Sequence, residues 1–371
     1  MTLDHFVTQV RDLDPGLVRI VERAIPGARV LRAKPLGTDD TSAGAQVTAK
    51  SAGYGIPIRI HIEVNGHQRC VVLHGSSANQ FGHDRRSDRA AELLLAADTY
   101  GSIPAHTQVL DVGAFRRDGT SVSLMESDEF YLLTDYMVGT PYAEDLRRMV
   151  GAPATAADVQ RVHKMVDYLV SLHAARPVAP GAYPRSLRDL LGSGEGIFGI
   201  VDAYPADAPG APPLHLQQIE QRCLDFRWRL KGRAPRLARI HGDFHPFNVL
   251  FDDQESLRVL DTSRGSLGDP ADDVACMAVN FLFFALEDEA SWRATFADLW
   301  RQFWTRYLAA SGDVELLDVV APFLTWRLLV LSCPAWYPNL SRSARERLLA
   351  FANAALLAER FDPDLAEGLF R

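Results

Sequence analysis

Lysine is scarce in this chain of 371 residues. Lys34, Lys50, Lys164 and Lys231 are all it has, and Arg supplies nearly all the positive charge. There is no lysine-rich block and the net charge is −8. Duplex nucleic acid is therefore not an expected partner, because affinity there rests on clustered cations that neutralise phosphates. Cysteine is sparse too. Cys70, Cys223, Cys276 and Cys333 are scattered without a CxxC pair, the pattern of buried free thiols in a reducing cytoplasm. Long apolar runs are missing. Val274–Leu286 is interrupted by Asn280 and Val319–Cys333 chiefly by Arg327, and both fall short of the roughly 20 residues that span a bilayer. They read as buried core helices, with no membrane partner expected. The opening MTLDHFVTQVRDLD has early acids and no apolar segment, so a secretory signal is not expected either.

What is present fits a globular protein, with 47% hydrophobic and 23% charged residues. The length exceeds one ordinary core, so two domains are expected. The first half is strand-rich. Pro57–Val64 alternates sides as a half-buried strand does, Asn65-Gly66 supplies a tight turn, and Arg69–Leu73 returns. A second pair is expected from Val109–Phe115 and Phe130–Asp135 across a polar, glycine-containing loop, with a helix over Arg85–Thr99 between the pairs. After about Pro141 helices and proline-rich loops take over. The expected helices are Ala156–Ala174, Leu214–Leu230, Ala290–Tyr307, Val314–Leu331 and Ser343–Arg360. The change of character near residue 138 divides an N-terminal domain, residues 1–138 with a short N-terminal helix, from a C-terminal domain, residues 139–371.

The segment richest in chemistry runs from Arg239 to Ala275. A short loop, His241-Gly-Asp-Phe-His-Pro-Phe-Asn248, precedes the apolar Val249-Leu-Phe251. A second run, Leu257-Arg-Val-Leu260, ends at Asp261, and Gly268-Asp-Pro-Ala-Asp-Asp273-Val-Ala275 opens a long apolar helix. Phosphoryl transfer needs such groups: a carboxylate to take the proton of an incoming hydroxyl, and oxygen ligands for magnesium beside the phosphates. Asp243 is the candidate base, and Asn248 and Asp261 are the candidate magnesium ligands. A zinc-hydrolase reading of His241-x-Asp-x-His245 would require further histidines on neighbouring loops.

The segment resembles the aminoglycoside phosphotransferase and choline kinase family, which is marked by H-G-D-x-H-x-x-N, a magnesium-binding Asp after a strand, and G-D-P-x-x-D-x-A. His241–Asn248 and Gly268–Ala275 match position by position. The resemblance implies a two-lobed, protein-kinase-like α+β fold. The smaller lobe is an antiparallel sheet with one helix, the larger lobe is mainly helical, and ATP and magnesium lie in the cleft. It implies that Asp273 supports the catalytic loop and that His241 and His245 shape it. It also implies that the backbone of Thr134, Asp135, Tyr136 and Met137 holds the adenine. Leu169-Val-Ser-Leu-His-Ala174 resembles a helix end common in the family. Glu92 stands where the family has the glutamate that orients a phosphate-binding lysine.

The lysine itself is missing. At the end of Cys70-Val-Val-Leu73 stands His74, which could stay protonated by pairing with Glu92. Arg85, Arg86, Arg89 and Lys50 are the other cations at hand. Two glycine loops compete to cover the phosphates, Gly53-Tyr-Gly55 and Gly37–Gly44. For the acceptor, Glu195 in the glycine-rich stretch Gly192–Gly199 is a candidate contact, as are Trp336 and Tyr337, whose alternative role is to pack a helix end. The expected activity is a cytoplasmic kinase that moves the γ-phosphate of ATP to a hydroxyl of a small, antibiotic-like or choline-like acceptor. A nucleotide-binding pseudokinase that acts through a protein partner is the alternative, and a metal-dependent hydrolase the remote one.

Overall fold

The computed structural model describes residues 13–35 and 57–371, so Lys50 and both candidate glycine loops lie outside the described residues. The fold is mixed α and β, with small antiparallel sheets and many helices, and it divides into two compact units, 1–134 and 135–371.

In the first unit, α1 (Pro15–Ala24) starts where the Asp14 carboxylate accepts from the amides of Gly16 and Leu17, at 2.6 and 3.3 Å. A three-stranded sheet follows, β1 (Arg29–Pro35), β2 (Ile58–Val64) and β3 (His67–Leu73), in that order. The β2–β3 turn has positive φ at both Asn65 and Gly66, +54° and +76°, as a two-residue hairpin requires. Alternation on β2 points Ile58, Ile60 and Ile62 into a core shared with Leu17, Val21 and Val30. Helix α2 (Arg86–Thr99) comes next.

The second expected strand pair forms differently. β4 (Gly113–Phe115) pairs with β5 (Ser121–Ser123), and Phe130–Asp135 joins no ladder. The reason lies in the loop: Asp118 accepts from the amide and hydroxyl of Thr120, at 2.9 and 2.7 Å, and Gly119 takes φ +83°. This short Asp-Gly turn closes the hairpin within what the sequence suggested was one long connection.

The second unit begins with β6 (Thr140–Pro141) and the helices α3 (Tyr142–Met149), α4 (Ala156–His173), α5 (Ala182–Gly192), α6 (Ile197–Asp202) and α7 (Pro213–Leu230). Then come β7 (Ala238–Arg239), β8 (Val249–Phe251), β9 (Leu257–Val259) and β10 (Leu267–Gly268), followed by α8 (Ala271–Ala285), α9 (Ala297–Ser311), α10 (Ala321–Ser332) and α11 (Arg342–Leu357). β8 lies between β6 and β9, and β7 pairs with β10. Every residue of α8 except Phe283 is buried, as a helix apolar on all sides must be. α10 is buried almost as fully, and it begins later than the periodicity suggested because Pro322 suits only a first helical turn. No helix among the described residues is long and apolar enough to cross a membrane.

Candidate active site

The loop His241–Asn248 is held from behind. The amides of His241 and Gly242 each donate to the Asp273 carboxylate at 2.8 Å. Asp273 is fully buried at the start of α8, and its Oδ2 also lies 3.0 Å from His173 Nε2, at the end of α4. His173 Nδ1 in turn lies 2.7 Å from the Tyr307 hydroxyl. Burial pushes the Asp273 carboxyl up, but His173 and the two amides outweigh it and hold it below the usual range. Gly242 has no substitute here: its φ is +83°, and a Cβ would lie 2.3 Å from the Ser263 carbonyl oxygen. His241 accepts the Asp243 amide on Nδ1 at 3.3 Å, and the Phe244 ring beside it stacks on Tyr168.

The loop presents the Asp243 carboxylate. Its Oδ1 accepts from Arg327 Nη1 at 2.6 Å, and its Oδ2 lies 3.4 Å from His245 Nε2 and 3.3 Å from Asn248 Nδ2. The side chain keeps 25% of its exposure, so it remains reachable. Burial raises its pKa, but the His245 hydrogen bond and the Arg327 charge win, and the carboxyl is held well below its ordinary value. Asn248 is buried, and its amide nitrogen also donates to the Asp243 carbonyl at 3.1 Å. That leaves its oxygen as the atom that could hold a metal. β8 and β9 pair Val249 with Val259, and the Leu260 amide donates to the Asn248 carbonyl at 2.9 Å. Asp261 therefore follows directly at the same end of the ladder. It is exposed, with φ +38°, a conformation that costs about 1–3 kcal/mol and concentrates at functional sites. An amide oxygen and a carboxylate are hard donors that suit magnesium, which would keep waters and phosphate oxygens in its remaining positions. Among the described residues no three His, Cys, Asp or Glu side chains gather to hold a metal ion.

The loop after Asp261 meets the glycine-rich stretch. Ser263 donates to Glu195 Oε2 at 2.9 Å, and Arg264 Nη1 donates to the Glu195 carbonyl at 3.3 Å. Gly196 and Gly199 let the stretch fold tightly on itself and on the end of α5: a Cβ would lie 2.6 Å from the Asp189 oxygen and 2.2 Å from the Gly194 oxygen respectively. Trp336 is exposed, whereas Tyr337 packs edge-on against Phe283 at 5.0 Å between ring centres.

On the first unit, His74 is exposed just beyond β3. Glu92 meets a different imidazole from the one expected, with its carboxylate 3.1 Å from His83 Nε2. The cause is local. The Asn79 side chain accepts the Phe81 amide at 2.8 Å and Gly82 takes φ +85°, which folds residues 79–83 back toward α2. Arg89 donates to the carbonyls of His83, Asp84 and Arg85, tying down the approach to its own helix. Thr134, Asp135, Tyr136 and Met137 are all exposed and lie where the chain divides between the units.

The sequence reading did not single out Arg327, Arg264 or Asp272 as parts of this arrangement, and it noted His173 only within the helix end Leu169–Ala174. Arg327 had the clearest signal, as the only charged residue in an otherwise apolar helix. Arg264 reaches Asp272 Oδ2 at 2.7 Å, and Arg327 reaches Asp272 Oδ1 at 3.2 Å.

The family model described as "APH: Phosphotransferase enzyme family" matches residues 80–310. Among solved structures, a glucosamine kinase is similar at 19% identity over 59% of each chain, with a TM-score of 0.39. This chain thus spans 59% of that kinase's length. Choline kinase LicA from Streptococcus pneumoniae is similar at 13% identity, over 92% of this chain and 97% of the other, with a TM-score of 0.33. The gentamicin complex of APH(2")-IIa is similar at 13% identity, over 95% and 92%, with a TM-score of 0.30. No curated protein matches the sequence.

Proposed function

Since the chain belongs to the phosphotransferase enzyme family, we propose that it is a kinase that transfers the γ-phosphate of ATP to a hydroxyl of a small molecule in the cytoplasm. The observation that carries this reading is the reachable Asp243 carboxylate, beside Asn248 on a loop fixed by Asp273. The acceptor oxygen bonds to the γ-phosphorus as the bond from that phosphorus to the bridging oxygen breaks, and ADP leaves with the electron pair. The acceptor's proton passes to Asp243. A strongly acidic carboxylate is a poor base for an early proton transfer, so Asp243 chiefly orients the hydroxyl and collects the proton late, as a loose transition state permits. Asn248 and Asp261 are the residues that would hold magnesium, which neutralises charge developing on the phosphates. On the nucleotide side, the backbone of Thr134–Met137 would take the adenine edge, and His74 and Glu92 belong to the phosphate end. The four free cysteines fit a reducing compartment.

The test is transfer of labelled phosphate from ATP to a panel of hydroxyl compounds, with the product identified as a phosphate monoester. Asp243→Asn should lower the rate by about 10² to 10⁴ if the carboxylate takes the proton, and an undiminished rate in that variant would end the assignment. One observation favours the pseudokinase reading, namely His74 where the family's lysine is expected. ATP binding without transfer to any acceptor would support it.

A further inference from the structure

Three of the four free cysteines, Cys223, Cys276 and Cys333, are buried, whereas Cys70 is exposed. Cysteine is among the residue types most often buried, so an open thiol calls for a reason. Cys70 stands on β3, an edge strand of its sheet, directly opposite His61 on β2. Its sulfur lies 3.3 Å from His61 Nδ1. That contact is the only polar one the imidazole makes among the described residues, because Nε2 is buried without a partner. Buried polar atoms are normally satisfied, and an exception is a sign that the group serves something besides the fold.

A third side chain completes the row. β1 pairs Val30 with Ile62 and Arg32 with His61, so Leu31 is an extra residue and the register shifts there. Without this bulge, alternation would turn Arg32 toward the core that Val30 enters. With it, Arg32 joins His61 and Cys70 on the outer face. The next row carries Lys34 and Arg59, and the sheet's only acid, Glu63, is held by Arg29 at 3.1 Å. Arg32 is exposed and has no hydrogen-bond or ion-pair partner among the described residues, so its charge is open to a ligand. A base in contact and cationic, open surroundings are what make a thiol nucleophilic.

We propose that Cys70 is a thiol-exchange site that takes up anionic low-molecular-weight disulfides, such as peptide disulfides with free carboxylates. The Cys70 proton passes to His61 Nδ1, and the sulfur attacks one sulfur of the disulfide while Arg32 holds a carboxylate. A bond forms between Cys70 and that sulfur. The original sulfur–sulfur bond breaks with its electron pair on the departing sulfur, which takes the proton from His61. One disulfide is consumed, one mixed disulfide and one thiol are formed, and no other oxidant is needed. Excess thiol reverses the step. All three residues lie in the first unit, and the chemistry does not depend on phosphate transfer.

The experiment incubates the whole chain at neutral pH with oxidised glutathione, which is anionic, or with cystamine, which is cationic, and follows the adduct by intact mass and peptide mapping. Wild type should gain one mixed disulfide with glutathione, mapped to Cys70, removed by dithiothreitol and absent from Cys70→Ser. It should also favour glutathione disulfide over cystamine by more than free cysteine does, a comparison that needs no variant. His61→Gln and His61→Asn should slow both reagents about 3- to 10-fold, because the lost thiolate fraction is partly offset by greater nucleophilicity. Arg32→Gln should lower the ratio of the glutathione rate to the cystamine rate ~3-fold or more. Unlabelled Cys223, Cys276 and Cys333 show that each variant is folded. A wild type that gains no adduct at Cys70 overturns the proposal, as does an unchanged rate in folded His61 variants, which marks an ordinary exposed thiol. A wild-type preference no greater than that of free cysteine, or an unchanged ratio in Arg32→Gln, overturns the assignment of an anionic ligand.

Discussion

Replacing Asp273 by Asn alters one atom and should loosen the His241–Asn248 loop measurably. The carboxylate accepts from the His241 and Gly242 amides, both at 2.8 Å, and faces His173 at 3.0 Å. An amide of the same shape offers one accepting oxygen and turns its NH₂ against a donor. At least one buried donor then loses its partner, at a cost of about 1–3 kcal/mol. With 1.4 kcal/mol per factor of ten, local opening should become about 5- to 140-fold more frequent. Asp273→Ala removes all three acceptor contacts and should cost about 3–6 kcal/mol, much of a typical stability of about 5–15 kcal/mol. The Asn variant is therefore the informative one. Residue-resolved amide hydrogen exchange should show faster exchange at His241 or Gly242, with β2 of the other unit unchanged. Unaltered protection at both amides would refute the reasoning, as would uniform acceleration across both units.

The remaining two expectations concern Asp243 and Gly242. Because the folded Asp243 carboxyl is depressed, its pairing stabilises the fold above the unfolded value of about 3.9 and is lost only as pH falls through the lower folded value. This group should therefore cause no loss of kcat/KM as pH falls from about 8 to about 5. An acid limb in that range that survives in His245→Gln would contradict the expectation. Gly242→Ala forces a side chain into φ +83° and against the Ser263 oxygen. The conformation alone costs about 1–2 kcal/mol, so kcat should fall while circular dichroism shows the helices intact, and a fully active variant would show that the loop tolerates displacement.

Local chemistry made much of the fold legible. Asn65-Gly66 announced the β2–β3 hairpin, and the apolar run after Asp273 announced a buried helix. Asp118-Gly119 carried the same kind of signal, but it sat inside a polar stretch and was hidden by the apolar Phe130–Leu133 that looked like a better partner strand. In the site, the short segment from His241 to Asp261 pointed to Asp243, Asn248 and Asp261 by its chemistry, and the resemblance of Gly268–Ala275 to the family's motif added Asp273. The pairing of Arg327 with Asp243 joins positions 84 apart, and no periodicity encodes such a contact. The meeting of Glu92 with His83 depended on a turn set by Asn79 and Gly82, a detail invisible to a count of residues between a strand and a helix.

If Asp261 holds magnesium for a bound nucleotide, its removal must abolish nucleotide binding. Calorimetry of magnesium-ATP binding to wild type and Asp261→Ala decides this. Wild type should bind clearly, only with magnesium present, and the variant should bind severely more weakly or not at all. Binding that is equal in both proteins, or independent of magnesium, would contradict it.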